Sequence, residues 1–288
     1  MAEDFNPIAS QMENTMPCQR IQGARVENHI KEPTTMREES RKRFDSIHDD
    51  YSFFQKHSTE AESDIKAYLP YIRALSGEDR PVRMLDFGSG DGVVTGDLLS
   101  RTSVSAGQLH LSLVEPDAQY LKDAVKRLRR FTAHPIFALP ELPPGLNACF
   151  DVIISNNVLY YVSDLKVTLS ALIGGLSSPG VFISSVAAWD NTLVRYTFPL
   201  FDLIRKPYPF WLAEDCEQAL CELGEEFEIE GVHFDCDSEE SRLSMARFLM
   251  GSEYPNILRK ALLEGFDNHR HDGNIVIKTT NKHLIVRR

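Results

Sequence analysis

The run "MLDFGSGDG" places Gly88, Gly90 and Gly92 directly after an apolar, strand-like segment and directly before the helix-like "VVTGDLLS". Glycine lets a backbone turn sharply and approach a ligand closely, and this turn falls at the carboxyl end of a strand, where open parallel sheets bind ligands. From Val82 onward "VRMLDFG", "LHLSLVEP", "HPIFAL", "FDVIISN" and "VFISSVA" read as strands, with helix-like segments between the first three and between the last two. Such alternation specifies a parallel sheet with helices on both faces.

A nucleotide-type ligand is expected at this turn. The spacing is G-x-G-x-G, whereas a dinucleotide pyrophosphate turn needs a glycine at the position of Val93, so NAD is disfavoured. The next strand ends "LVEP", which puts the Glu115 carboxylate where it can accept both hydrogen bonds of a ribose diol. Strand, glycine turn, helix, strand and acid in this order carry far more weight than a glycine cluster alone.

Outside the alternating region, Arg41 to Leu75 has helical periodicity, with one helix beginning at Thr59 and carrying Ile65, Tyr68, Leu69 and Ile72 on one face. Thr59 and Glu62 have the spacing of a capping box, which leaves Glu60 on the first turn for another task, ionised by the favourable end of the helix dipole. His57 reads as a structural histidine bonded to the backbone. After Ala188 the aromatic-rich "WDNTLVRYTFPLFDLIRKPYPFW" interrupts the alternation as an insertion, followed by a helix from Leu212 to Leu223, a strand "FEIEGVHFDC", a mostly helical Ser241 to Asp267 and a closing strand or hairpin "GNIVIKTTNKHLIVRR". Residues 1–40 lack periodicity and read as a flexible arm.

Composition narrows the function class. With 31 basic and 42 acidic residues the net charge is −11, which disfavours a phosphate-tracking nucleic-acid surface. The densest basic run, "KRLRR" from Lys126 to Arg130, reads as the solvated last turn of a helix. Cys18, Cys149, Cys216, Cys221 and Cys236 form no C-x-x-C pair, and His233, His269, His271 and His283 are dispersed, so neither a disulfide framework nor a metal site is expected. No apolar run is long enough to span a bilayer and the N-terminus is acidic and polar, so a cytoplasmic protein without membrane or nucleic-acid partners is expected, a monomer by slight preference.

These motifs resemble those of the class I S-adenosylmethionine-dependent methyltransferases. Asp86, Gly88, Gly90 and Gly92 match every position of that family's D-x-G-x-G-x-G turn, and Glu115 falls on its acidic residue after the second strand. "FDVIISNNVLYYVSD" is similar to its fourth-strand motif and "LSSPGVFISS" to its fifth-strand entry. The resemblance implies a Rossmann-like α/β fold: a mostly parallel seven-stranded sheet with helices on both faces, an N-terminal helical cover and a substrate-covering insertion after the fifth strand. It implies a methyltransferase domain over 41–288, with a donor-binding core at 80–188 and covering elements at 41–75, 189–212 and 239–270. S-adenosyl-L-methionine is the implied cofactor, held by Asp86, Gly88, Gly90, Gly92, Glu115, Tyr120 and Asn156.

Within that class, "FFQKHSTE", "VLYYVSD" and "AWDNTLV" resemble segments of the histamine N-methyltransferase family. That resemblance makes Glu60 the substrate-binding carboxylate, Asn157 a polar pocket amide, and Phe54, Tyr160, Tyr161 and Trp189 aromatic walls. Leu193 stands where the family has a second tryptophan, and the family's C-terminal asparagine falls at Thr280 or Asn281. The implied activity is transfer of a methyl group, by in-line displacement, to nitrogen of a small amine or imidazole-type acceptor. An O-, carboxyl or C-methyltransferase shares the donor half of the site, and a non-catalytic donor-binding module is the reading from a different class. On their own residues the tyrosine pair also reads as core packing with a bonded hydroxyl, Trp189 as core, and Asn156 and Asn157 as helix caps.

Overall fold

The computed structural model describes residues 48–76, 80–205, 207–237, 242–250, 256–271 and 274–288, so the proposed arm at 1–40 lies outside the described residues. The helix α1 (His48–Lys56) and α2 (Glu60–Ser76) precede an alternating run of β1 (Val82–Phe87), α3 (Val93–Ser100), β2 (Leu109–Val114), α4 (Ala118–Leu128), β3 (Phe137–Leu139), β4 (Phe150–Asn156), α5 (Leu165–Gly174) and β5 (Leu176–Ala187). Then come α6 (Thr192–Leu203), α7 (Ala213–Leu223), β6 (Glu228–Asp237), α8 (Arg242–Met250), α9 (Asn256–Asp267), the two-residue β7 (Arg270–His271) and β8 (Asn274–Arg287).

Hydrogen bonding orders the sheet β3-β2-β1-β4-β5-β8-β6, with β7 pairing only with β8. The first five of these run parallel, and β8 lies antiparallel between β5 and β6. The two-residue side-chain period of each strand feeds two cores. Met84, Leu111, Val152, Ile154 and Ile183 pack under α2, α3 and α4 on one face, with Ile65, Tyr68, Leu69 and Ile72 of α2 all buried there as expected. Leu85, Ile153, Phe182, Leu284 and Val286 pack under α5 and α7 on the other. The basic run is the exposed end of α4: Arg127 pairs with Asp91, and Arg129 donates to the Thr132 and His134 carbonyls.

A third apolar cluster lies above the sheet. Phe54, Leu193, Phe201, Met245, Phe248 and Phe266 join α1, α6, α8 and α9 over the carboxyl ends of the parallel strands. Phe54 and Phe248 stack with centroids 4.4 Å apart, and beside them Asp50 of α1 accepts from Arg247 Nε at 3.0 and 2.8 Å. Asp50 is buried, so replacing Arg247 by methionine strands a carboxylate. We expect that variant to lose about 3 kcal/mol, read as a lower urea midpoint, and an unchanged midpoint would mean that the pair does not clasp the two helices.

Candidate functional site

A cavity of about 180 Å³ runs from the glycine turn to the underside of this cover. Gly88, Ser89, Gly90 and Asp91 form one end. Gly88 has φ +76°, and a Cβ there would stand 2.2 Å from Val158 Cγ2, so only glycine fits. At Gly90 a Cβ would meet nothing within 4 Å, which leaves backbone open to the cavity. Gly90 N–H donates to Glu115 Oε2 at 2.9 Å and Asp117 N–H to Glu115 Oε1 at 2.9 Å, so the acid at the end of β2 is held against the turn. Burial, partly offset by these two N–H groups, raises the Glu115 carboxyl above its ordinary range. Asp86 is buried under the turn and accepts from Thr95 Oγ1, and burial lifts its pKa to about 7.

Two polar atoms are left over beside the turn. Among the described residues Ser89 Oγ and Tyr120 Oη are buried with no hydrogen-bond partner, an arrangement that native proteins rarely keep without a ligand or water. Tyr120 stacks on His48 at 5.0 Å between centroids. The open backbone at Gly90, the adjacent carboxylate and the two orphaned hydroxyls fit a polar nucleoside-bearing cofactor.

The other end is built from α2, the turn after β4, β8 and the cover. Glu60 begins α2 with its N–H donating to Ser58 Oγ at 3.1 Å. The Glu62 carboxylate also takes Arg101, at the neighbouring helix end, at 2.9 and 2.6 Å. Glu60 Oε1 accepts from Asn281 Nδ2 at 2.7 Å. The expectation that the helix dipole keeps Glu60 ionised is overturned. Enclosure under the cover and then the charge of Asp64 raise its pKa from 4.5 to about 8, against a smaller lowering by Asn281.

Asn157 neither caps a helix nor lies in one: its φ is +55°, and α5 is capped by Asp164. Its Nδ2 donates to Asp64 Oδ2 at 3.2 Å, and its Oδ1 accepts from Asn281 Nδ2 and Tyr160 Oη, each at 3.2 Å. Asn156 Oδ1 accepts from Tyr68 Oη. Leu159–Tyr161 form a single 3-10 turn, not the start of a helix, and this turn brings both Tyr160 and Tyr161 to the cavity. Phe54, Tyr51, Phe210 and Phe248 complete its aromatic wall.

Trp189 does not line the cavity. Its ring packs edge-on against Phe198 with centroids 4.4 Å apart, in a cluster with Ala187, Val194 and Leu212, and its backbone N–H donates to Glu214 Oε2 at 3.1 Å. Asn281, not Thr280, meets the site, because β8 pairs Asn281 with Ala187 at the end of β5. His57 Nδ1 bonds the Phe53 carbonyl at 2.9 Å and its ring stacks on Phe53, a structural role. Sequence reasoning missed Asp64 and His283. Their signals were spacing: Asp64 is four residues beyond Glu60 on one helix, and His283 is two beyond Asn281 on one strand, so each shares its partner's face.

The cavity is lined by Glu60, Asp86 and Asp91 and, among the described residues, by no lysine, arginine or histidine. Its ionisable side chains are thus acidic, with Asp91 at the turn end paired to Arg127.

No family model matches the chain. Over 100 residues, 34% of its length, it is 34% identical to uncharacterized methyltransferases of Mycobacterium bovis and Mycobacterium tuberculosis, and the match spans 46% of each, less than half the length of these relatives. Among solved structures it is similar to a Bacillus halodurans protein described as a methyltransferase (TM-score 0.54, 14% identity, 77% of this chain and 98% of that one). The YcgJ protein of Bacillus subtilis gives the same TM-score and identity over 77% and 99%. The fold is that of the class I S-adenosylmethionine-dependent methyltransferases.

Proposed function

We propose that the protein transfers a methyl group from S-adenosyl-L-methionine to nitrogen of a small, cationic, histamine-like amine. One observation carries the reading: the glycine turn and the Glu60 carboxylate open into one cavity whose ionisable lining is acidic. When bound, S-adenosyl-L-methionine supplies an electrophilic methyl carbon on a sulfonium sulfur. Gly88, Gly90, Glu115, Tyr120 and Asn156 are the residues that would hold it, with Asp86 bracing the turn.

The acceptor half belongs to Glu60, Asn157, Asn281, Tyr160, Tyr161 and Phe54. An ammonium cannot act as a nucleophile, since its lone pair carries a proton. Glu60, with a pKa near 8, is matched to take that proton near neutral pH, while Asn281 holds the carboxylate in place. Aromatic faces stabilise the positive charge that remains, by roughly 0.5–2 kcal/mol each. A carboxylate acceptor would face Glu60 with no lysine, arginine or histidine among the described lining residues to balance it, which disfavours carboxyl methylation.

The test is a donor-dependent screen over amines, phenols and carboxylic acids, with product mass and fragmentation locating the new methyl. Amine products are expected. Turnover of phenols or acids alone would overturn the nitrogen reading, and tight donor binding without turnover of any class would favour a binding module. The pH dependence gives a further check. Glu60 is largely protonated in the free protein below pH 8, and pairing with an ammonium requires that proton to leave. Acceptor KM should therefore fall about tenfold per pH unit up to about 8 and level off above; a flat KM from pH 6 to 8 would remove the ion pair from the model of binding.

A further inference from the structure

Behind Glu60 lies a buried pair that the proposed chemistry does not use. Asp64 is 1% exposed and His283 is fully buried. His283 Nε2 donates to Asp64 Oδ1 at 2.7 Å, Ser185 Oγ donates to the same oxygen at 3.1 Å, and Asn157 Nδ2 donates to Oδ2. The other ring nitrogen, Nδ1, is buried without a partner among the described residues, so the ring proton belongs on Nε2, toward the carboxylate.

The direction of the Asn157 and Asn281 amides follows from this carboxylate. Because Asp64 offers only acceptors, Asn157 must present Nδ2 to it and turn Oδ1 outward. Asn281 then meets Asn157 Oδ1 and Glu60 Oε1 with its Nδ2, and its Oδ1 accepts from Asn191 Nδ2 at 3.0 Å. Both amide N–H groups of Asn281 and one of Asn157 are thereby directed at protein acceptors. Glu60 and Asn157 Oδ1 are the oxygens that these bonds set beside the acceptor end.

We infer that Asp64, held by His283, is a positioning residue that fixes the hydrogen-bond polarity of the acceptor end and thereby selects a cationic acceptor over a neutral or anionic one of the same shape. The inference rests on the amine reading above. With His283 Nε2–H and Ser185 Oγ still donating to the side-chain oxygen, replacing Asp64 by its isostere asparagine puts an N–H opposite Asn157 Nδ2. Relief requires Asn157 to turn over, which brings its Nδ2 against Asn281 Nδ2 and withdraws the N–H from Glu60. Asn281 has no alternative orientation, because Asn191 already presents a donor to its oxygen.

The probe pair is phenethylamine and phenethyl alcohol, with histamine as a second amine, titrated calorimetrically into the full chain saturated with S-adenosylhomocysteine. Wild type should bind the amines more tightly than the alcohol, and Asp64→Asn should cut that preference at least tenfold. The double variant Asp64→Asn/Asn157→Asp moves the carboxylate one position along the chain of bonds and restores each donor to an acceptor, so the preference should return. A loss of affinity shared equally by amine and alcohol, or an unchanged preference in Asp64→Asn, would reduce the pair to a packing role. Should Asp64→Asn fail to fold, His283→Gln, which keeps an N–H donor, must retain the preference. Absence of any amine preference in wild type would overturn the amine reading and this inference with it, an outcome distinct from a wild-type preference that survives in Asp64→Asn.

Discussion

Glu60→Gln is expected to lower kcat/KM for the amine acceptor by at least about 100-fold at pH 8, with donor affinity unchanged. Glutamine has the same shape and keeps an oxygen for Asn281, so the variant removes one thing, the capacity to hold and receive a proton. Two losses add: the charge that pairs with an ammonium, and the base that frees its lone pair. The donor end lies across the cavity, and among the described residues Glu60 bonds Ser58 through its backbone N–H and Asn281 through its carboxylate. Calorimetric binding of S-adenosylhomocysteine separates the halves. Wild-type kinetics with the true acceptor would take Glu60 out of the site.

The same substitution should change stability in a pH-dependent way, and the sign is fixed. A carboxyl whose pKa is 4.5 unfolded and about 8 folded binds its proton more tightly in the native state. Stability from this group is fully present below pH 4.5 and is lost as pH rises toward 8, where burial forces an ionised carboxylate under the cover. Glutamine carries no such penalty. The stability of Glu60→Gln relative to wild type should therefore grow from pH 5 to pH 8 and stay constant above. Asp86, lifted to about 7, titrates in both proteins and cancels in the difference. A difference that shrinks with rising pH would show that Glu60 is ionised in the folded protein near neutrality.

The donor half was the more legible in sequence, and the reason is covalent locality. Asp86, Gly88, Gly90 and Gly92 stand at alternate positions of one short run, and Glu115 directly follows the next strand, so their spacing alone encodes the turn. The acceptor half is assembled from α1, α2, the turn after β4, α6, α8 and β8, elements far apart in the chain. Its hydrogen bonds depend on the register that sets Asn281 opposite Ala187 and His283 opposite Ser185, and register is a tertiary quantity. Trp189 shows the converse. As a large aromatic after the fifth strand it is chemically suited to a pocket wall, but its partner Phe198 lies on α6, and that contact turns the ring away from the cavity. The error at Glu60 has a similar origin. A helix start favours ionisation locally, but burial and the Asp64 charge, neither visible from the first turn, outweigh it.

Gly88→Ala should damage both halves at once. The residue sits at φ +76°, where an L side chain costs about 1–2 kcal/mol. Its new methyl would also lie 2.2 Å from Val158 Cγ2 and 2.6 Å from Val158 Cβ, an overlap that side-chain rotation cannot relieve because Cβ is fixed to the backbone. Together these should cost about 2–5 kcal/mol in denaturant unfolding. Val158 follows Asn157 and precedes the turn that carries Tyr160 and Tyr161, so a shift of Val158 to make room displaces those acceptor-end residues with it. Loss of S-adenosylhomocysteine affinity should exceed about 100-fold, with the acceptor affected as well. Gly90→Ala is the control: its Cβ meets no protein atom within 4 Å, so its main effect should fall on the cofactor end, with a smaller loss of stability. The double variant Gly88→Ala/Val158→Gly removes the overlap and keeps the backbone strain. It should recover the packing share of the stability and part of the donor affinity, whereas equal damage in single and double variants would place the whole effect in the backbone of the turn.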